Sequence, residues 1–247
     1  MDNAHYFAVI VAAFVLAGFV KGVIGLGLPT VAIGVLGLIM TPAQAAAILI
    51  VPSFITNVWQ CVIGGGLLAL LRRMWPMLAG ICIGTYFGAL YLPNANSKEA
   101  TVGLGLALVL YAVLGLFKVH FSVPARSETW LGLLIGTATG AVTALTGVYA
   151  VPSLPYLQAM QFERDKLVQA MGLSFTTSTV TLALALAHAG EMRSSLVGPT
   201  LVALGAALFS MVLGQFVRGR VKAETFRLYF FLGLLALGAH LALRGLL

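Results

Sequence analysis

Hydrophobic residues run along this chain in blocks far longer than a soluble core requires. Polar breaks at Thr41–Gln44, Gly64–Trp75, Pro93–Glu99, Lys118–Glu128, Glu163–Lys166, Glu191–Ser195 and Arg218–Arg227 delimit eight segments, roughly 5–40, 44–64, 75–92, 99–117, 129–160, 167–189, 195–216 and 226–244. About 20 apolar residues carry a helix across roughly 30 Å of hydrocarbon, so six segments fit one crossing each. The first and fifth are each over 30 residues and are interrupted near the middle by Gly, Thr and Pro. The pattern predicts an all-α polytopic membrane protein; the short alternating segments of a β-barrel are missing.

The two long segments lie half a chain apart, which suggests duplication. "GVIGLGLP" (Gly22–Pro29) answers to "GVYAVPSLP" (Gly147–Pro155) at an offset near 125, with one extra residue. Gly18 stands four residues before the first and Thr143 four before the second, with Gly136 and Gly140 upstream. "PAQAA" (Pro42–Ala46) falls opposite "LVQAM" (Leu167–Met171), and Ser53 opposite Ser178. We read one integral-membrane domain made of two repeats of transmembrane helices, 1–120 and 121–247, each beginning with a broken or hairpin element.

Charge decides how those first elements run. The chain is 60% hydrophobic and 9% charged, with 14 Lys and Arg against 7 acids, and the basic residues sit almost wholly in loops. If segments one and five each cross once, the basic residues divide six (72, 73, 118, 126, 193, 244) against seven (98, 164, 166, 218, 220, 222, 227). If each returns to the side it came from, the division without Lys21 becomes ten (72, 73, 118, 126, 164, 166, 218, 220, 222, 227) against three (98, 193, 244). Only the second obeys the positive-inside rule. It places both termini outside a cell inner membrane, gives each half an odd number of passes, and inverts the halves relative to each other. Inverted repeats with interrupted first elements are a transporter arrangement, with the substrate expected where the interruptions meet near the midplane. The first stretch follows "MDNAHYF", has no basic region before it, and reads as a mature segment rather than a signal peptide. The basic excess speaks of orientation and anionic lipid, not nucleic acid.

Candidate chemistry concentrates at the breaks. In "GFVKGVIGLGLPT", glycines 18, 22, 25 and 27 weaken the helix, and Pro29 removes a donor. Broken backbone at membrane depth survives only where protein or a wet cavity satisfies it, and half-helix N-termini there favour anions. Lys21 either adds its charge to such a site or snorkels to the interface. The second break carries hydroxyls instead: Thr137, Thr139, Thr143, Thr146 and Tyr149. Thr139, Thr143 and Thr146 can share a helix face, or each can bond its own backbone one turn back. The following helices carry Gln44, Ser53, Thr56, Asn57 and Gln60, then Gln169, Ser174, Thr176, Thr177, Ser178 and Thr179; Ser53, Asn57 and Gln60 share a face. His188 and the other histidines stand at segment ends, and the His, Cys and acidic residues show no metal-ligand spacing. Cys61 and Cys82 read as buried packing residues, too far from the repeat offset for a thiol relay. Hydrolase motifs and a P-loop are absent, so an enzyme and direct ATP hydrolysis are not expected, and no cofactor is called for.

The chain resembles the sulfite exporter TauE/SafE family of permeases. The resemblance rests on "GFVKGVIGLGLPTVAIGVLGL", on "TGAVTALTGVYAVPSLPYLQAMQFERDKLVQAMGLSF" (139–175), and on the two-fold arrangement of the whole chain. Gly22, Gly25 and Gly27 match the family's first glycine pattern, with Leu28 where a further glycine is common. In the second half threonines and Tyr149 replace most glycines. The resemblance implies transport of a small sulfur-containing or carboxylate anion across the inner membrane. By position, Lys21, Gly22, Gly25, Gly27 and Pro29 would form one half of the pathway, and Thr143, Thr146, Gly147, Tyr149 and Pro152 the other, joined on residue chemistry by Asn57 and Ser178. Expected partners are that anion, with or without protons, and the lipid bilayer; homo-oligomerisation is left open. The alternative is a non-transporting membrane scaffold, which should tolerate loss of the Lys21 charge.

Overall fold

The computed structural model describes residues 3–62, 65–90, 97–117 and 122–246. Gly64, Pro93 and Lys118, named above at breaks, and His120, one of the segment-end histidines, lie outside the described residues. The fold is all-helical among those described: α1 (Asn3–Ile24), α2 (Leu28–Leu36), α3 (Pro42–Val62), α4 (Leu67–Ala89), α5 (Ser97–Leu116), α6 (Glu128–Thr146), α7 (Ser153–Ala159), α8 (Arg164–His188), α9 (Val197–Arg218) and α10 (Ala223–Leu246). Eight of these are long and apolar enough to cross a membrane, all but α2 and α7. The chain is a multi-pass membrane protein.

The two short helices come from the two interrupted segments. Gly25 at φ 81° and Gly27 at φ 100° take left-handed backbone that a side chain would strain. Pro29 then sits in the first turn of α2, where no helical partner needs its N–H. Gly147 at φ 72° ends α6, its N–H donating to the Thr143 carbonyl at 2.8 Å. Leu28 to Gly34 and Leu36 are all buried, so α2 is a core element, apolar apart from Thr30.

Small residues let the long helices close. A Cβ on Gly84 of α4 would strike the Thr137 backbone of α6, and one on Gly136 would strike Met77. Gly18 and Gly22 of α1 press likewise on Ala207, Met211 and Gly214 of α9. Lipid tails compete with side chains for apolar contact, so close backbone packing holds such bundles together.

These contacts also give helix directions. Residue numbers rise together along α1 and α9 (Gly18 at Ala207, Gly22 at Gly214) and along α4 and α6 (Gly80 at Leu133, Gly88 at Ala144), so each pair is parallel. They run oppositely along α5 and α10 (Gly105 at Ala242, Gly115 at Phe231) and along α3 and α8, where Asn57 meets Thr179 and Gln169 meets Cys61. α1 and α3 are parallel, because Lys21 meets Thr56 and Gly25 meets Gln60. α2 must therefore return the chain between them. Following the directions through, α1 starts and α10 ends at the same end of the bundle.

Three expectations change. The break Gly64–Trp75 is mostly helix, since α4 begins at Leu67 and carries Arg72 and Arg73. Helix there costs little because Arg73 forms a bidentate pair with Glu128 (2.8 and 2.5 Å) and stacks on the Phe162 ring. Gln44 is a cap: its N–H donates to Thr41 Oγ1 while its Oε1 accepts from the Thr41 N–H, a capping box with Pro42 opening α3. Cys82 is exposed on the outer face rather than buried.

Candidate functional site

Lys21 lies in the last turn of α1, yet only 4% of it is exposed, and it is the one buried charged residue among those described. Its side chain turns inward onto α3 instead of reaching for the interface. The ammonium donates to Thr56 Oγ1 at 2.9 Å and to Asn57 Oδ1 at 2.6 Å. An ammonium has three donors, and these two neutral acceptors leave the third N–H available.

Pro52 prepares α3 for this contact. It cannot donate to the Ile48 carbonyl one turn back, which loosens the helix just before Ser53, Thr56 and Asn57. The Thr56 hydroxyl donates to the Pro52 carbonyl at 2.8 Å and so holds its oxygen towards Lys21. Asn57 carries the row onward, with Nδ2 at 3.4 Å from Thr179 Oγ1 on α8 and 3.5 Å from Ser53 Oγ. Thr179 in turn donates to the Phe175 carbonyl at 2.7 Å. A row of polar groups thus crosses the bundle interior from α1 through α3 to α8.

Tyr149, from the second break, reaches the same row. It is fully buried, with its ring against Phe175 and its hydroxyl beside Thr179 and Ser53 but without hydrogen-bond geometry to either. The Ser174 and Ser178 hydroxyls of α8 and Gln60 Oε1 of α3 are also buried and accept or donate no protein hydrogen bond. Buried polar atoms are nearly always paired; of the five unpartnered ones among the described residues, Tyr149 Oη lies beside this row, whereas Tyr111 Oη lies apart, its ring against Phe230 and Phe231.

The other expected residues take different roles. Gly22 is a packing contact to α9. The Gly25 carbonyl accepts from Gln60 Nε2 at 2.8 Å, and Gly27 lies against Val20 and Phe230. Pro29 is buried in α2. Thr139, Thr143 and Thr146 are all buried, but Thr139 and Thr146 donate one turn back to Ile135 and Val142, and Thr143 lies 3.4 Å from the Val148 carbonyl across the break. These hydroxyls shape the break rather than face Lys21. Gly147 meets Ile33 and Ala46, and Pro152 precedes α7. His188 is an exposed residue at the end of α8.

The two interruptions do not meet. Gly25 abuts α3 at Gln60 and Gly147 abuts it at Ala46, 14 positions apart, or about 21 Å along a helix. The Lys21–Asn57–Thr179 row fills the space between them. Each interruption instead borders a cleft at its own end of the bundle. One, of about 270 Å³, is lined by Ile24, Leu26, Gln158, Arg218 and Arg227. The other, of about 140 Å³, is lined by Thr41, Ala46, Thr146, Gly147 and Glu191. The first ends one turn from Lys21, the second two residues from Tyr149.

In the sequence Ser53, Thr56 and Thr179 show only as polar residues of the helices that follow each break. Their signal was the crowding of Ser53, Thr56, Asn57 and Gln60 on one side of a helix behind a proline. Pairing Thr56 with Lys21 required the α1–α3 contact.

The family model described as Sulfite exporter TauE/SafE matches residues 10–241. That span covers nearly the whole chain, and the chain belongs to this family, as the paired motifs suggested. Neither a curated protein nor a solved structure matches it.

Proposed function

We propose that this member of the TauE/SafE family is a secondary transporter or facilitator that moves a small sulfur-containing or organic anion, sulfite or a sulfonate foremost, across the cell inner membrane. The observation that carries the reading is Lys21: a buried cation whose hydrogen-bond partners are all neutral. Burying a charge without a countercharge is expensive, and in membrane segments such groups mark substrate pathways. An anion on the third N–H would offset that expense. Asn57, Ser53, Tyr149 and Ser178 would add neutral contacts, while Gly25, Gly27 and Gly147 shape the backbone on either side.

The path runs between two halves, 1–120 and 121–247, which we read as inverted repeats. In support, the halves' corresponding helices α3 and α8 run antiparallel, as do α5 and α10, while α1 on α9 has its counterpart in α6 on α4. An axis in the membrane plane would relate them. The clefts at opposite ends fit alternating access, each opening towards the polar row from its own side. Members of the Lys21 row would then be reached from one cleft at a time.

Proteoliposomes loaded with radiolabelled sulfite or taurine provide the test. Transporter activity requires protein-dependent flux that Lys21→Met abolishes while the variant still folds; wild-type vesicles as tight as empty ones would return the chain to a scaffold role.

A further inference from the structure

The polar row has an electrostatic property that sets which anions it can hold. Lys21 contributes one positive charge, and every side chain identified around it is uncharged: Thr56, Asn57, Ser53 and Gln60 on α3, Thr179 on α8, and Tyr149 at the second break. Gly18 and Gly22, flanking Lys21 on α1, face Ser210, Met211 and Gln215 of α9, which carry no charge either. Cys61 is the remaining titratable group near the ammonium, and as a thiol it adds none. Of the other Lys, Arg, Asp and Glu side chains whose burial is described, none is buried. Arg218 and Arg227 stop at the wall of the first cleft, and Glu191 at the wall of the second.

We infer that the site is matched to a singly charged anion and discriminates against doubly charged ones. This inference rests on the proposed anion reading of Lys21 and adds a valence to it. A monoanion against the ammonium leaves the buried cluster neutral. A dianion would leave one negative charge in a low-dielectric interior, with hydroxyls and an amide to solvate it but no second cation, and an uncompensated buried charge is strongly unfavourable. A sulfonate, whose charge is fixed at one at any ordinary pH, matches the charged ammonium one for one. Sulfite satisfies it as hydrogensulfite, so its deprotonated form must take up a proton on entry. Sulfate is excluded by charge although its oxygens present the same hydrogen-bonding face.

The experiment is direct binding to the purified full-length protein, by calorimetry and by thermal stabilisation, at constant ionic strength. Methanesulfonate, sulfate and sulfite serve as probes, the last on both sides of its second ionisation. The expected result is methanesulfonate binding at least about 100-fold tighter than sulfate, given the expense of an unpaired buried charge, with sulfite affinity falling as it loses its second proton. Methanesulfonate keeps one charge over the same pH range, so any change in its affinity reports the protein, and the fall in sulfite affinity relative to methanesulfonate reports the valence of the ligand. Sulfate binding as tightly as methanesulfonate, or sulfite binding unweakened by deprotonation, would overturn the valence while keeping an anion site. Binding of none of the three would sink the anion reading itself, and this inference with it. Folding of the Lys21→Met control is checked by its melting transition, and Lys21→Arg, which keeps the charge, should retain the preference for the monoanion.

Discussion

Lys21 on α1 donates to Asn57 on α3 across 2.6 Å, and both residues are buried. That bond joins the end of the first long helix to the third helix of the fold, and Asn57 passes it on to Thr179 of α8. Three helices therefore share one cation, and changes to either residue should separate folding from function.

Replacing Lys21 by Met keeps most of the side-chain volume and removes the charge. Hydrogen bonds to charged groups contribute about 1.5–3 kcal/mol, so affinity for the substrate anion should fall by roughly 10- to 150-fold. The melting temperature should not fall in step, because replacing a buried charge by an apolar group of similar volume is often neutral or stabilising. Binding and melting measured on the same preparation decide the matter; equal losses in both would make Lys21 a structural residue.

Asn57→Asp is the sharper variant. It places a carboxylate where the amide oxygen accepts from Lys21, giving the ammonium a permanent countercharge. The variant should melt no lower than the wild type yet lose anion-dependent stabilisation, which for wild type amounts to about 2.7 kcal/mol at 100 times the dissociation constant. A thermal shift with anion that survives in Asn57→Asp would show that the ligand does not sit on Lys21.

Close packing between α4 and α6 makes Gly84 intolerant of any side chain. Its Cβ would meet the Thr137 carbonyl, a backbone atom that cannot swing aside. Overpacking of this kind costs typically about 1–3 kcal/mol. Gly84→Ala should unfold measurably earlier in a detergent denaturation series, whereas Gly233→Ala, with nothing within 4 Å of its Cβ, should change stability little.

Orientation is open to a reporter. α1 starts and α10 ends at one end of the bundle, while Arg72, Arg73, Arg218, Arg220, Lys222 and Arg227 lie at the other. With the basic end in the cytoplasm, a C-terminal alkaline phosphatase fusion should be active and a C-terminal green fluorescent protein dark. The reverse pattern would turn the bundle over in the membrane.

Much of this protein could be read without coordinates. Hydrocarbon thickness imposes a length on each crossing, and a span must be apolar throughout, so the eight long helices show in composition alone. The interruptions show too, because glycine takes the left-handed backbone at Gly25, Gly27 and Gly147 without the strain a side chain brings, and proline tends to stand at the start of the helix that follows. Loop charges implied the returns made by α2 and α7, since membrane insertion responds to them. What the linear order could not supply was which polar residues face each other. Thr139 and Thr146 matched a pathway by spacing but bond their own helix, and Gln44 caps one. A hydroxyl's competition between backbone and neighbour is settled by whatever packs against it. Lys21 could equally have snorkelled, and it was the return of α2, laying α1 beside α3, that put Thr56 and Asn57 within reach of its ammonium. Spans and breaks are properties of a segment and its solvent, but the site belongs to three helices distant in sequence, and only their packing brings it into being.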